Sequence, residues 1–548
     1  MSMLRHPRRL MRAIAAARDG RRREGVPPGA SARGMEGHPP SGEGPQRLSA
    51  GQIRVVFGAL MLGMLLAALD QTIVSTALPT IVGELGGLEH LSWVITAYLL
   101  TSTASTPVYG KLSDLYGRRT MFQIAIVLFT AGSLLAGVSQ SMLQLIAFRG
   151  LQGLGAGGLM SMAQAIIGDI VPPRERGRYQ GYIGSVFAFS SVAGPLLGGL
   201  FTDRLTWRWV FYINLPVALV ALVGTRLGLR IPYRPMRRPI DYLGSALMVG
   251  GVSCLLLVAS WGGTEYAWDS PVILGLAGAG VALLALFLWQ ESRVPEPLLP
   301  LRLFRVRSFG VGSFIMATLG MAMFGSLAFV PVYLQVVKGA SATASGLRLV
   351  PLMMTLTLTS VTVGRFISLT GRYRAFPIVG TAIMACAMLL LSRLDVGTPM
   401  WEVSLYIAVL GLGMGMVLQV IVLATQNEVP FRDLGTATSG VNFFRSMGGA
   451  FGVAIFGSVL NARLHHYLPR YLPAQQAAGL DPALLTTSPE RLRQLPPPVV
   501  HAVVEAFARS LHWVFLLAVP IVSLSFVLTL LLREAPLREH AHITLGEE

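Results

Sequence analysis

Apolar runs of about twenty residues recur along most of this chain, and each is long enough to cross a bilayer as a helix. A lipid-embedded segment has no water for its backbone N–H and C=O groups and must satisfy them internally, so runs of this length become helices rather than open strands. Apolar length marks about fourteen candidate spans. The first six lie near 53–80, 91–110, 120–138, 142–170, 177–201 and 207–229. Two more lie near 240–260 and 271–289, and the last six near 308–336, 343–364, 375–392, 401–425, 433–460 and 511–532. The expected fold class is an all-α membrane protein. Composition excludes a soluble core: 53% of residues are hydrophobic and 13% charged, against roughly 25% charged in soluble chains.

The net charge of +17 would suggest nucleic acid in a soluble protein. Here the basic residues sit in short connectors after the even-numbered spans, as in Lys111/Arg118/Arg119, Arg174/Arg176/Arg178, Arg302/Arg305/Arg307 and Arg365/Arg372/Arg374. That is how a membrane protein sets its orientation, and no aromatic-plus-basic reading surface accompanies it. The expectation is a multi-pass protein of the cell (inner) membrane with both termini cytoplasmic. Residues 1–52 read as a disordered basic tail without a cleavable signal, touching anionic lipid through Arg21, Arg22 and Arg23. Met35 is an alternative start. Residues 461–510 read as an outer loop, with 499–511 an amphipathic surface helix, and 533–548 as a cytoplasmic tail.

The halves repeat. Gly110-Lys111, five residues and Gly117-Arg118 follow span two; Gly364-Arg365, five residues and Gly371-Arg372 follow span ten, the second of the last six. Two six-helix bundles, 53–229 and 308–532, with a two-helix insert and linkers at 230–307, are the simplest account, and parallel repeats are a known transporter plan.

Charges inside the apolar runs are the candidate functional residues. Asp70 lies deep in span one and Arg149 at similar depth in span four. Such residues are costly unless paired or facing water, so the two read as partners in a proton-coupling pair. The bland readings are a structural carboxylate at Asp70 and an arginine reaching the outer surface at Arg149. Gly194 and Gly198 place a GxxxG face on span five beside Pro195 and Gly199, suiting a tight interface that is either static or rocking. Gly110, Asp114, Gly117, Arg118 and Arg119 read as an inner gate, with Arg118 and Arg119 in reach of Asp169 or Glu175; exposed pairs of about 0–1 kcal/mol suit a contact that must break. The alternative is that the basic residues serve orientation only. Gln335, Gln419, Asn442 and Arg445 are candidate cavity residues in the second half, and Arg445 reads equally well as structural.

Cys254 and Cys386 lie inside apolar runs and support neither a disulfide framework nor a metal site. The His465-His466 pair is not read as a metal ligand set. A phosphate-binding Gly-x-x-x-x-Gly-Lys-Ser/Thr loop is absent from the sequence, so ATP hydrolysis is not expected. No cofactor is implied, and the chain does not read as an enzyme.

Together these stretches resemble the drug:proton antiporter family with fourteen spans in the major facilitator superfamily. The resemblance runs from about residue 50 to 532. It is carried by the span-one signature from Leu69 to Pro79, the loop from Gly110 to Arg119, the span-four arginine motif from Leu145 to Gly157, and the span-five antiporter motif at Gly194, Pro195, Gly198 and Gly199. One departure is Ser368, where the second-half echo lacks the acid of Asp114, so the inner contacts should be asymmetric. The resemblance implies a major facilitator fold that works as a monomer and exports drugs or other amphipathic small molecules, hence antibiotic resistance, by alternating access. In that scheme Asp70 exchanges protons and a cationic substrate competes for its charge. The runner-up keeps the fold for one endogenous metabolite, siderophore or lipid; a receptor on a transporter fold is a third reading, against which intact Asp70, Arg149 and Asp114 argue.

Overall fold

The computed structural model describes residues 50–85, 91–171, 173–229, 241–263, 266–472 and 496–537. The expectations for the basic tail, for most of the outer loop between 473 and 495, and for the end of the C-terminal tail lie outside the described residues. The described residues contain no strand.

Helices occupy the apolar runs. In the first part they are α1 (Ala50–Leu85), α2 (Leu91–Tyr116), α3 (Arg118–Gly137), α4 (Met142–Ile170), α5 (Pro173–Arg204) and α6 (Asn214–Gly228). Next come α7 (Tyr242–Trp261) and α8 (Pro271–Glu291). Then follow α9 (Arg307–Val332), α10 (Val350–Thr370), α11 (Ala375–Ser392), α12 (Met400–Glu428), α13 (Leu434–Tyr471) and α14 (Pro497–Leu530). Among the described residues, 11 segments are long and apolar enough to cross a membrane by length and composition. Helices α2, α4 and α5 are not among those segments. They carry many Ser, Thr, Gly and charged residues, and α4 is buried over much of its length. A helix enclosed by other helices does not need an apolar surface facing lipid.

The packing scheme repeats as the sequence does. In the first six helices α1 lies against α5 and α6, α2 against α4, and α3 against α4 and α6. In the last six α9 lies against α13 and α14, α10 against α12, and α11 against α12 and α14. Across the two sets, α2 meets α13 and α5 meets α10, a reciprocal exchange of second and fifth helices. Both echo motifs turn on a left-handed glycine, Gly117 at φ 92° and Gly371 at φ 74°, a conformation that a Cβ penalises. Helices α7 and α8 pack on one another, and α7 bridges to α2 and α13.

One expected element differs. Residues 499–511 do not form a separate surface helix; they are the first turns of α14, continuous to Leu530. Val503, Ala506 and Phe507 are fully buried there, so burying that apolar face against the bundle wins over lying on its surface. On the other flank, α13 runs on to Tyr471, so both ends of the 461–510 segment are helical.

Candidate functional site

Helix α1 carries Asp70 about 30 Å along its length from its start at the basic end, and α4 carries Arg149 at a matching distance from its own basic end. Both side chains are sealed from solvent, at 0% and 2% exposure. The structure joins them as an ion pair through Arg149 Nη1 and Asp70 Oδ2. Gln152 Nε2, one turn further along α4, donates to Asp70 Oδ1 at 2.8 Å, and Asn214 Nδ2 of α6 donates to the same oxygen at 3.2 Å. Asn214 also donates to Ser133 Oγ on α3, which donates to Phe211 O. The guanidinium lies over the Tyr98 ring at 4.1 Å and donates to Gln152 Oε1 at 2.8 Å. An ion pair this deep survives only when hydrogen bonds satisfy its remaining lone pairs and protons, and these neighbours do so. Gln152, Asn214, Ser133 and Tyr98 were not singled out in the sequence. Neutral polar residues in apolar helices carry little signal, although Gln152 follows Arg149 at the spacing that shares a helix face.

At the basic end, Arg118 begins α3 immediately after the Gly117 turn and is buried between two acids. Its Nη1 pairs with Asp114 Oδ1 at 2.6 Å and its Nε with Asp169 Oδ2 of α4 at 2.7 Å. Asp114 Oδ2 also accepts from Thr436 N at 3.1 Å and Thr436 Oγ1 at 2.8 Å, at the start of α13. A Cβ at Gly110 would collide with Ser439 Oγ, and one at Gly435 with Arg118 and Asp114. On the reciprocal crossing, Gly177 of α5 and Gly364 of α10 face one another backbone to backbone with no room for a side chain. Arg119 is half-buried and makes no ion pair among the described residues. Glu175 is exposed and does not meet Arg118. The two halves are therefore in contact at this end, where Asp114 reaches across to α13; in the echo, Ser368 donates to Gly364 O. In the echo connector, burial pushes the Tyr373 phenol above its usual range, keeping it an O–H that donates to Arg533 O.

Helix α5 presents Gly194 and Gly198 to α1, where a Cβ would collide with Thr72 Oγ1 and Thr76 Oγ1 respectively. Thr72 Oγ1 donates to Ser190 O at 2.9 Å. Gly199 faces open space, and α5 runs unbroken through Pro195. The two packed glycines thus clamp the stretch of α1 that begins two residues after Asp70.

A small cavity of about 50 Å³ lies between α5 and helices α9, α10, α12 and α13. Its wall is largely methionine and leucine, with Phe187 and Gly184 from α5, and Gln419, Ser360 and Arg445 as its polar members. Of the expected cavity residues, Gln419 and Arg445 line it. Gln335 and Asn442 do not line it: Gln335 donates to Ser345 Oγ, and Asn442 Nδ2 donates to Gln164 Oε1 of α4 at 2.6 Å. No residue of α1 or α4 lines the cavity, which places Asp70 away from it. A molecule held in this cavity would not touch Asp70.

The profile of the Major Facilitator Superfamily matches residues 60–453. The chain belongs to the Major Facilitator Superfamily. As a member it is a multi-pass membrane transporter for small molecules, of the multidrug-efflux type by its relatives. It is 46% identical over 493 residues to an uncharacterised MFS-type transporter of Mycobacterium tuberculosis, covering 90% of this chain and 71% of the relative. It is 40% identical over 499 residues to the multidrug transporter protein MdtP of Bacillus subtilis, covering 86% of this chain and 92% of that one. Among solved structures, a bacterial homologue of the human lysosomal transporter Spinster, inward-facing and unoccupied, matches with a TM-score of 0.57 at 17% identity over 88% of this chain and 98% of its own. This likeness shows the fold alone. The superfamily's members are transporters, and this chain is one rather than an enzyme.

Proposed function

We propose that this transporter exports amphipathic small molecules against a proton gradient. In this reading it crosses the inner membrane fourteen times as two six-helix bundles and a two-helix insert, with the basic end and both termini in the cytoplasm. The observation that carries the proposal is the sealed Asp70–Arg149 pair, because an ionisable pair at membrane depth is expensive and marks an ion pathway. The Asp70 carboxylate accepts from Arg149, Gln152 and Asn214. A proton arriving there from the outer side neutralises the acceptor and leaves Arg149 without a counter-ion, so α1 and α4 must repack. Helix α5 is clamped to α1 at Thr72 and Thr76 and lines the cavity at Gly184 and Phe187. It therefore offers a mechanical route from proton to substrate, and coupling runs through helix packing rather than through a shared charge. The Asp114–Arg118–Asp169 cluster serves as the inner gate, holding α13 at Thr436 in one state and releasing it in the other.

The test is efflux of a fluorescent amphiphile from proteoliposomes under an imposed pH gradient. Wild type should build a substrate gradient, Asp70→Asn should build none and Asp70→Glu a partial one. A gradient built by Asp70→Asn would remove Asp70 from the coupling site.

A further inference from the structure

The cavity beside α5 carries a chemical signature of its own. Arg445 is 7% exposed, and its Nε is buried without a hydrogen-bond partner. No ion pair involving Arg445 is formed among the described residues, and neither an aspartate nor a glutamate lines the cavity. Its nearest acid along α13, Asp433, pairs with Arg302 at the basic end, about 18 Å away along the helix axis. Two more polar atoms of the same wall lack partners, Gln419 Oε1 and Ser360 Oγ. An arginine cannot give up its proton, and a buried cation without a partner is among the costliest arrangements a fold can hold. The Asp70–Arg149 pair shows the contrast, since there the guanidinium has a carboxylate beside it and a further acceptor in Gln152 Oε1. Around Arg445 the remaining wall is apolar: Met323, Met353 and Met414 with Leu327, Leu356 and Leu418. Thioethers adapt to varied apolar shapes.

We propose that this cavity binds an amphiphilic organic carboxylate, with the Arg445 guanidinium taking the acid head, Gln419 and Ser360 a hydroxyl or amide, and the methionine–leucine wall the hydrocarbon body. It names the substrate class within the export reading and rests on that reading. A carboxylate accepts two parallel N–H bonds from a guanidinium and supplies the charge that the cavity lacks. A lipophilic cation would meet Arg445 with no acid to offset it, so the cavity discriminates by charge sign as well as by apolar fit.

The experiment uses the full chain in phosphatidylcholine nanodiscs and three probes sharing one body: 1-pyrenebutyrate, its primary amide and a pyrenebutyl trimethylammonium. Wild type should bind the carboxylate about tenfold or more tighter than either of the others, the span of one charge-assisted bond. Arg445→Gln should erase that preference while holding amide affinity within about threefold, and Arg445→Lys should keep part of it. A ligand-free melting curve separates this from a structural arginine: Arg445→Met should melt at or above the wild-type temperature, because it removes an unpartnered buried charge. Equal binding of the three probes overturns the inference, as does an equal loss of carboxylate and amide in Arg445→Gln, or a lowered melting temperature in Arg445→Met. The export reading fails separately. Selective carboxylate binding without movement under a pH gradient refutes proton-driven export and leaves the anion site standing. Export of the ammonium probe with no preference for the carboxylate refutes the anion site and leaves export standing.

Discussion

Replacing Asp70 with asparagine changes little in size and much in chemistry. A carboxylate only accepts hydrogen bonds, and Asp70 accepts from Arg149, Gln152 and Asn214. Asparagine places an amide donor among those donors and removes the only carboxylate paired with a guanidinium that is 2% exposed. Breaking a buried pair by removing one partner costs about 3–5 kcal/mol, mostly from the uncompensated charge left behind. Asp70→Asn and Arg149→Met should each lose stability of that order, while the double variant removes the stranded charge and should recover about 2 kcal/mol or more relative to the sum. The assay is equilibrium unfolding in mixed micelles, followed by tryptophan fluorescence as a complete double-mutant cycle. Additivity within ~0.5 kcal/mol would mean that the two residues do not interact energetically, and would refute the reasoning. The double variant also separates folding from coupling, since it regains stability relative to the summed single losses and should still fail to build a substrate gradient under a pH gradient.

Asp114→Asn should insert and fold close to normally yet slow efflux, because it weakens the hold on Thr436 and Arg118 that one transport state makes; unchanged efflux beside a normal melting curve would remove it from the gate. Gly110→Val should drive α2 off Ser439 and expose the basic end, read as faster thiol labelling of a cysteine placed at Ser439; unchanged labelling would refute the contact. Gly194→Val and Gly198→Val should each lose about 1–3 kcal/mol by overpacking against Thr72 and Thr76, and lose transport with it. Gly199→Ala, facing open space, should be silent in both stability and efflux, and a defect as large as that of Gly194→Val would refute the α1–α5 clamp.

Lone charges in long apolar runs are the easiest functional signal to read from this chain. Asp70 and Arg149 stand out because membrane depth makes any ion conspicuous, and matched depth makes them natural partners. The neutral residues that complete their shell, Gln152, Asn214, Ser133 and Tyr98, come from four helices and carry no charge signal, and only Gln152, three residues after Arg149, has a spacing that hints at its place. Arg445 is visible in sequence as a buried arginine, but whether it is structural depends on an acid beside it, and only the packed helices reveal that none lines its cavity. The same holds for Arg118 and Arg119, adjacent in sequence: one reaches Asp169, and the other makes no ion pair among the described residues.

The sequence by itself determined the helices, because apolar length and the need to satisfy the backbone in lipid leave no other form, and it determined the repeat, because both connectors require a glycine that can turn left-handed. The tertiary structure alone decided that the acid–arginine pair and the cavity are separate places joined by α5. It also decided that residues 499–511 extend α14 instead of lying on the surface. Both outcomes depend on which faces of distant helices meet, and close approach at Gly177 and Gly364, or at Gly194 and Thr72, is a property of two helices at once that no single stretch of sequence contains.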